Sequence, residues 1–262
     1  MKREEQIQQL NRLLLAELPQ YRGQAKQFPP DAASQRSLLR GLMNLRPPMP
    51  LRQDYLALQD ALLSAEREEK GVVDVNALPM AGHSRIALWQ GDITRLAADA
   101  IVNAANSALL GCFCPCHGCI DNAIHSAAGL QLRDECNHIM QAQGHEEPTG
   151  QAKMTGAYNL PSKFVLHTVG PIVHGSLTEK DRAALQSCYR SCLELAAENR
   201  QQSIVFCCIS TGEFHFPNQE AAQIAVATVK EFLSRDGSSM RVIFNVFKEI
   251  DKQIYHKLLC AD

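Results

Sequence analysis

Five potential metal donors crowd one short stretch of this 262-residue chain: Cys112, Cys114, Cys116, His117 and Cys119. Thiolates and imidazole are the donors that Zn(2+) prefers, at about 2.0–2.3 Å, and a site with three protein ligands leaves a fourth position for water or substrate. Residue types alone do not choose among the five. Cys116 and Cys119 also have the separation of structural zinc sites, in which a closed set of ligands staples a loop. The ten cysteines accompany an N-terminal sequence, MKREEQIQQL, that lacks an apolar export segment, so a reducing, cytoplasmic setting is expected, where bunched thiols point to metal rather than to crosslinks. The other six, Cys136, Cys188, Cys192, Cys207, Cys208 and Cys260, read as small core side chains.

Three further segments have residues suited to a polar ligand. Gly91-Asp92-Ile93-Thr94 places a carboxylate where it can accept from an amine or cap a turn. Asn103 and Asn106 lie three apart at the end of an apolar run, and Asp121 opens a helical stretch that continues through Ile124 and His125. Neutral donors and acceptors leading into a helix N-terminus suit a sugar and a phosphate. In Ser210-Thr211-Gly212-Glu213-Phe214-His215-Phe216-Pro217, small residues let backbone amides approach an anion, and Phe214 and Phe216 offer ring faces or lids. His125 and His167 read as core residues. The Pro-Cys-x-x-Cys at Pro115–Cys119 is half of the zinc-deaminase pattern, but the triplet His145-Glu146-Glu147 follows it instead of preceding it, so deamination is not expected.

The elements that position these segments have two textures. Apolar residues at helical spacing (Ile7, Leu10, Leu13, Leu14; Leu38, Leu39, Leu42, Met43; Tyr55, Leu58, Leu62), divided by Pro29, Pro30, Pro47, Pro48 and Pro50, predict three short helices in an N-terminal extension over residues 1–75. From about residue 84, short β-type runs alternate with helices: Arg85–Trp89, Ala100–Ala104, Lys163–Thr168, Ser203–Ser210 and Arg241–Val246. Several of these runs are apolar on both faces, which implies a sheet covered by helices on both sides, a three-layer α/β/α domain spanning 76–262. Ligands in such sheets bind where strands end and helices begin, which is where all the segments above fall.

In that order, Gly91-Asp92-Ile93-Thr94, Asp99 to Asn106, Asp121 to His125 and Ser210-Thr211-Gly212 resemble the macrodomain family over roughly residues 84–260. The resemblance implies a mixed central sheet and an ADP-ribose cleft. Asp92 would then bind the adenine amine, with Ile93 beside it. Ser210, Thr211, Gly212, Glu213 and Phe214 would wrap the diphosphate and distal ribose. Asn106 and Asp121 would face the distal ribose and be catalytic, and Cys119 and Ile120 would also bind ADP-ribose. Where most macrodomains have a short glycine-rich run, this chain has Gly111 to Ile120, similar to the zinc-containing subfamily, whose helical N-terminal extension and hydrolysis of ADP-ribose from modified proteins are also implied. That subfamily's spacing selects Cys112, His117 and Cys119 as ligands. A non-catalytic ADP-ribose reader and an O-acyl-ADP-ribose hydrolase are the alternative readings.

Charge composition excludes other classes. With 26 Lys and Arg against 28 Asp and Glu, the formal net charge is −2, so no general attraction to nucleic acid or an anionic membrane is encoded. The most apolar run, Ser203 to Ser210, is far short of the ~18–20 residues that span a bilayer. The expected partners are a mono-ADP-ribosylated protein and ADP-ribose, with neither nucleic acid nor membrane.

Overall fold

The computed structural model describes residues 1–81, 85–235, 237 and 239–260. Residue 84, where the resemblance begins, and residues 261–262, where the assigned α/β unit ends, lie outside them. The chain begins with helices α1 (Arg3–Glu17), α2 (Arg22–Ala25), α3 (Ala32–Leu45) and α4 (Gln53–Lys70). The apolar spacing predicts three of these; α2 is the added short turn of helix. The Asp31 carboxylate opens α3 by accepting from the Ser34 amide at 2.9 Å, a cap for one of the unpaired donors of a helix start. Ile7, Leu10, Leu14, Leu39, Leu42 and Leu62 pack into a separate apolar cluster. That cluster is completed by Leu130, from far along the chain.

Strands β1 (Val73–Asp74), β2 (Ile86–Gln90), β3 (Leu96–Ala97) and β4 (Ala100–Ala105) follow, then helices α5 (Ile120–Ala128) and α6 (Leu130–Gln143). The remaining elements are β5 (Ala152–Gly156), β6 (Phe164–Val169), α7 (Glu179–Glu198), β7 (Ser203–Phe206), α8 (Asn218–Arg235), β8 (Arg241–Val246) and α9 (Glu249–Leu259). β1 and β3 form a small parallel pair, and the main sheet has the order β2-β8-β7-β4-β6-β5. All its pairs are parallel except β5 against β6. The sheet is therefore mixed, and helices cover it. Its core strands are buried nearly throughout, as the continuous apolar runs require.

Three expectations need correction. The run Ser203–Ser210 forms a strand only as far as Phe206, because Cys207 to Ser210 turn out of the ladder to begin the loop above it. Phe216 is 1% exposed and packs in the core, so it presents no ring face to a ligand. Cys260 is exposed at the end of α9 and not a core thiol. Cys136, Cys188, Cys192 and Cys207 are buried, as read, while Cys208 is half-buried.

Candidate active site

The parallel strands β2, β4 and β7 end on one rim of the sheet, and the loops leaving them carry the ligand-suited residues. The last residues of β4 set the centre. Asn103, fully buried, donates through Nδ2 to Asp121 Oδ1 at 2.8 Å. Asn106 donates to Asp121 Oδ2 at 3.4 Å and to the Gly111 carbonyl at 3.1 Å. The two asparagines thus hold one carboxylate oxygen each. Asp121 sits in the first turn of α5, where the helix dipole favours negative charge, yet it is only 5% exposed. Burial raises its pKa to about 6, against the lowering effect of the Asn103 hydrogen bond and nearby Arg133.

Immediately before α5, the cysteine loop brings three donors together. Cys112 Sγ lies 3.7 Å from His117 Nδ1, and the ligating atoms of Cys112, His117 and Cys119 are all within 4.8 Å of one another. Cys114 and Cys116 are exposed and outside that group. Cys119 is also the N-cap of α5, its sulfur accepting from the Asn122 amide at 3.4 Å. Burial pushes the Cys119 thiol up to about 12. A thiolate at this position therefore needs a positive charge next to it.

The loop after β7 faces this one. Glu213 Oε1 is 3.7 Å from His117 Nε2, so the imidazole has Cys112 on one nitrogen and a carboxylate on the other. Ser210 and His215 both adopt left-handed backbone angles, φ 64° and 57°. The turn is closed by the Phe216 amide donating to the Ser210 carbonyl and the His215 amide to the Gly212 carbonyl. Ser210 Oγ is buried without a hydrogen-bond partner. Gly212 and Glu213 are exposed, while Thr211 and Phe214 are half-buried. At the third corner, Asp92 Oδ1 accepts from the amide and hydroxyl of Thr94 at 3.0 and 2.7 Å, so this oxygen caps a 3-10 turn, Ile93–Arg95. The other oxygen bears no hydrogen bond among the described residues, and Ile93 is buried beside it.

Comparison with known proteins places this architecture. Residues 102–225 match the Macro domain family model. A protein of Treponema medium named protein-ADP-ribose hydrolase is 53% identical over 249 residues, covering 94% of this chain and 95% of its own. This chain belongs to the macrodomain family. A protein of the same name from Staphylococcus aureus strain Mu50 is 47% identical, covering 86% of this chain and 85% of its own. Among solved structures, the Trypanosoma brucei macrodomain in complex with ADP-ribose is 33% identical, with a TM-score of 0.65 over 84% of this chain and 94% of that one. The Oceanobacillus iheyensis macrodomain with ADP is 39% identical with a TM-score of 0.61, over 66% and 89%.

Within this macrodomain, several site residues were not legible from spacing. The role of Asn103 is the first: spacing marked it as a candidate beside Asn106, but not that its buried side chain would hold Asp121. Phe247 is the second, a candidate by position: it is 77% exposed just past β8, and its carbonyl accepts from Gln90, two residues before Asp92. An exposed ring just past a core strand was the available signal. Gly170 is the third. A Cβ there would lie 2.0 Å from Ser210 Oγ, closer than any side-chain contact allows. Gly170→Ala is therefore expected to turn the Ser210 hydroxyl and press on Ile209, whose Cγ2 would lie 2.9 Å from the new Cβ, and by disturbing this turn to weaken ADP-ribose binding by roughly tenfold. Calorimetric titration of the variant with ADP-ribose checks this.

Behind Asp121 lies a buried polar layer. His167 Nδ1 is 3.2 Å from Asn103 Nδ2, and its Nε2 is 2.9 Å from Thr155 Oγ1. Neither ring nitrogen of the buried His125 has a hydrogen-bond partner, and its Nε2 is 3.5 Å from Asp121 Oδ1. Burial lowers the pKa of His167 to about 3 and that of His125 well below its ordinary value, so both rings are neutral. Unfolded, each titrates near 6.5, so the unfolded chain binds protons that the folded chain refuses, and stability falls as pH drops below that value. For His167 this costs about 2 kcal/mol between pH 6.5 and 5, and His125 acts in the same direction. Asp121 opposes part of this slope, because its raised folded pKa takes up a proton as pH falls through about 6. His167→Gln is expected to flatten the profile by one proton, read as the difference in urea unfolding between wild type and variant at pH 7 and pH 5 in chelator.

Proposed function

We propose that this macrodomain is a hydrolase that removes ADP-ribose from modified protein side chains, and that Cys112, His117 and Cys119 hold a Zn(2+) ion at its centre. One observation carries the reading: a buried carboxylate, gripped on both oxygens by asparagines, stands two residues from a Cys/His/Cys donor set at the same helix start. A module that only bound ADP-ribose would need the adenine and diphosphate contacts and neither of these. The donor set suits zinc in kind and number, since two thiols and an imidazole converge and the imidazole's outer nitrogen faces a carboxylate, the usual support of a ligating histidine. When bound, the ion supplies positive charge that orients the distal ribose or polarises an oxygen next to it; two thiolate ligands leave it a weak Lewis acid.

The chain's own residues do the rest. The free oxygen of Asp92 accepts from the adenine amine, the Phe247 ring offers a face for the base, and the Ser210–Phe214 turn wraps the diphosphate. Asn106 fixes the distal ribose and Asp121 at once. The glycosidic bond from the anomeric carbon to the protein side chain breaks through an oxocarbenium-like state, and a water oxygen bonds to that carbon. The water's proton passes to Asp121, which at a pKa of about 6 is ionised at neutral pH yet close enough to it to accept. The proton then returns to the departing side chain.

No described helix is long and apolar enough to cross a membrane, and all ten cysteines are free thiols. We place the protein's work in the reducing cytoplasm, with residues 1–75 as an extension of the α/β unit 76–262. The test is release of free ADP-ribose from mono-ADP-ribosylated proteins by the zinc-loaded chain, beside Cys119→Ser. Multiple turnovers that this substitution abolishes together with bound zinc are expected. Full activity with zinc retained in Cys119→Ser would overturn the ligand assignment. ADP-ribose binding without turnover on any protein linkage would make the chain a reader, and faster cleavage of free O-acyl-ADP-ribose would change the substrate.

A further inference from the structure

The cysteine loop leans on α3. Arg40, midway along that helix, donates through Nη2 to the His117 carbonyl at 3.1 Å and through Nη2 and Nε to Asn122 Oδ1 at 2.7 and 3.1 Å. Asn122 is fully buried and joins further partners. Its Nδ2 donates to the Cys114 carbonyl at 3.0 Å, its amide donates to Cys119 Sγ, and its Oδ1 also accepts from Ser126. One turn further along α3, Asn44 Oδ1 accepts from the Cys116 amide at 2.9 Å. Cys116 has a left-handed φ of 54°, a conformation costly for a residue with a side chain, so this contact holds the loop in a shape it would not adopt alone. The Cys116 thiol donates to the Ser37 carbonyl, and a Cβ on Gly41 would already touch Pro115 at 3.6 Å. Positions 37, 40, 41 and 44 make one helical stripe, and all of it meets the loop.

These contacts have a geometric consequence. His117 belongs to the loop, whereas Cys119 and Asp121 belong to the start of α5. A planar guanidinium that bonds to the His117 carbonyl and to Asn122 at once fixes the span between these two bodies, which an ammonium on a single point cannot do. We propose that Arg40 is a positioning residue for the metal site, acting through Asn122, so that the N-terminal extension is a working part of the active site. This rests on the zinc reading above.

The full-length chain tests it with Arg40→Gln and Arg40→Lys. Three quantities are measured: zinc affinity by competition with a chelator, amide hydrogen exchange of residues 112–122 in zinc-free protein, and unfolding of zinc-free protein. Both variants are expected to bind zinc about 10–100-fold more weakly, the range for partners that orient metal ligands. Exchange should accelerate across 112–122 and not in the central strands, and the zinc-free melting temperature should stay at the wild-type value. Lysine does not rescue, since charge without the fork is not enough. Unchanged zinc affinity and unchanged exchange would overturn the proposal. So would weakened zinc binding accompanied by faster exchange throughout the chain, which would mark a general loss of stability, or a defect confined to ADP-ribose binding. Should the wild-type chain take up no zinc, the metal reading falls, while accelerated exchange confined to 112–122 would still establish the brace.

Discussion

Asp121→Ala is expected to slow release of ADP-ribose from a modified protein by about 10²–10⁴-fold, the range for loss of a positioned proton acceptor, while ADP-ribose still binds. The carboxylate is buried, raised to a pKa of about 6 and held on each oxygen, so it cannot swing away, and no second carboxylate among the described residues shares its place at the α5 start. Asp121→Asn sharpens the test. It preserves shape, removes the ability to take a proton and leaves one of the two asparagine amides facing an NH2 group, so at least the same loss is expected from it. A near-normal rate for Asp121→Asn in single-turnover release would show that the group serves only to orient the ribose. Relief from burying a charge is offset by the lost acceptors for the Asn103 and Asn106 amides, so urea unfolding of each variant accompanies the rate comparison.

Arg133→Leu is expected to destabilise the chain by about 3–5 kcal/mol, since it leaves three carbonyls unpaired at about 1–3 kcal/mol each. Arg133 is 4% exposed, yet it belongs to α6 and bonds to two distant segments. Its Nε donates to the Leu110 carbonyl at 2.6 Å, and Nη1 donates to the carbonyls of Met43 and Arg46 at the end of α3. Those carbonyls have no partner within their own helix, and their pairing with a cation is how a buried helix end is tolerated. Burial lowers the guanidinium to about 10, which leaves it charged at neutral pH. Its carbon also stands 4.5 Å over the Phe113 ring, so the same side chain grips the cysteine loop. Leucine fills the space and abandons three carbonyls. Against a total stability of order 5–15 kcal/mol, urea unfolding will register the loss readily. A change below about 1 kcal/mol would mean that water replaces the guanidinium at no cost.

How far the sequence revealed this follows from the range of the interactions. Strand cores and cleft loops were legible because each is written in consecutive residues: an apolar run, then Asn103 and Asn106, then a turn. The convergence of Cys112, His117 and Cys119 was not legible from residue types, which left five donors in one loop; the resemblance alone singled out these three, and the fold brings their ligating atoms together. β5, with the sequence AKMTG, has neither strong alternation nor β-branched bulk; only its antiparallel pairing with β6 makes it a strand. The roles of Arg40, Asn44 and Arg133 were illegible, because their partners lie 23 to 90 residues away and nothing local distinguishes these side chains from surface ones. Asp92 shows both sides. The turn-capping and ligand-binding readings were posed as alternatives, and the geometry assigns one oxygen to the cap and leaves the other available.

The dependence of the N-terminal helices on α6 also bears on synthesis. Their apolar cluster includes Leu130, the amide of Leu130 is itself capped by Gln59 of α4, and the end of α3 waits for Arg133. At about 5–20 residues per second, the first four helices emerge several seconds before the residues that complete their packing. During that interval Leu10, Leu14, Leu39, Leu42 and Leu62 lack their final cover. The segment therefore completes its packing only once α6 has emerged, so its final fold is timed by the arrival of the α/β body.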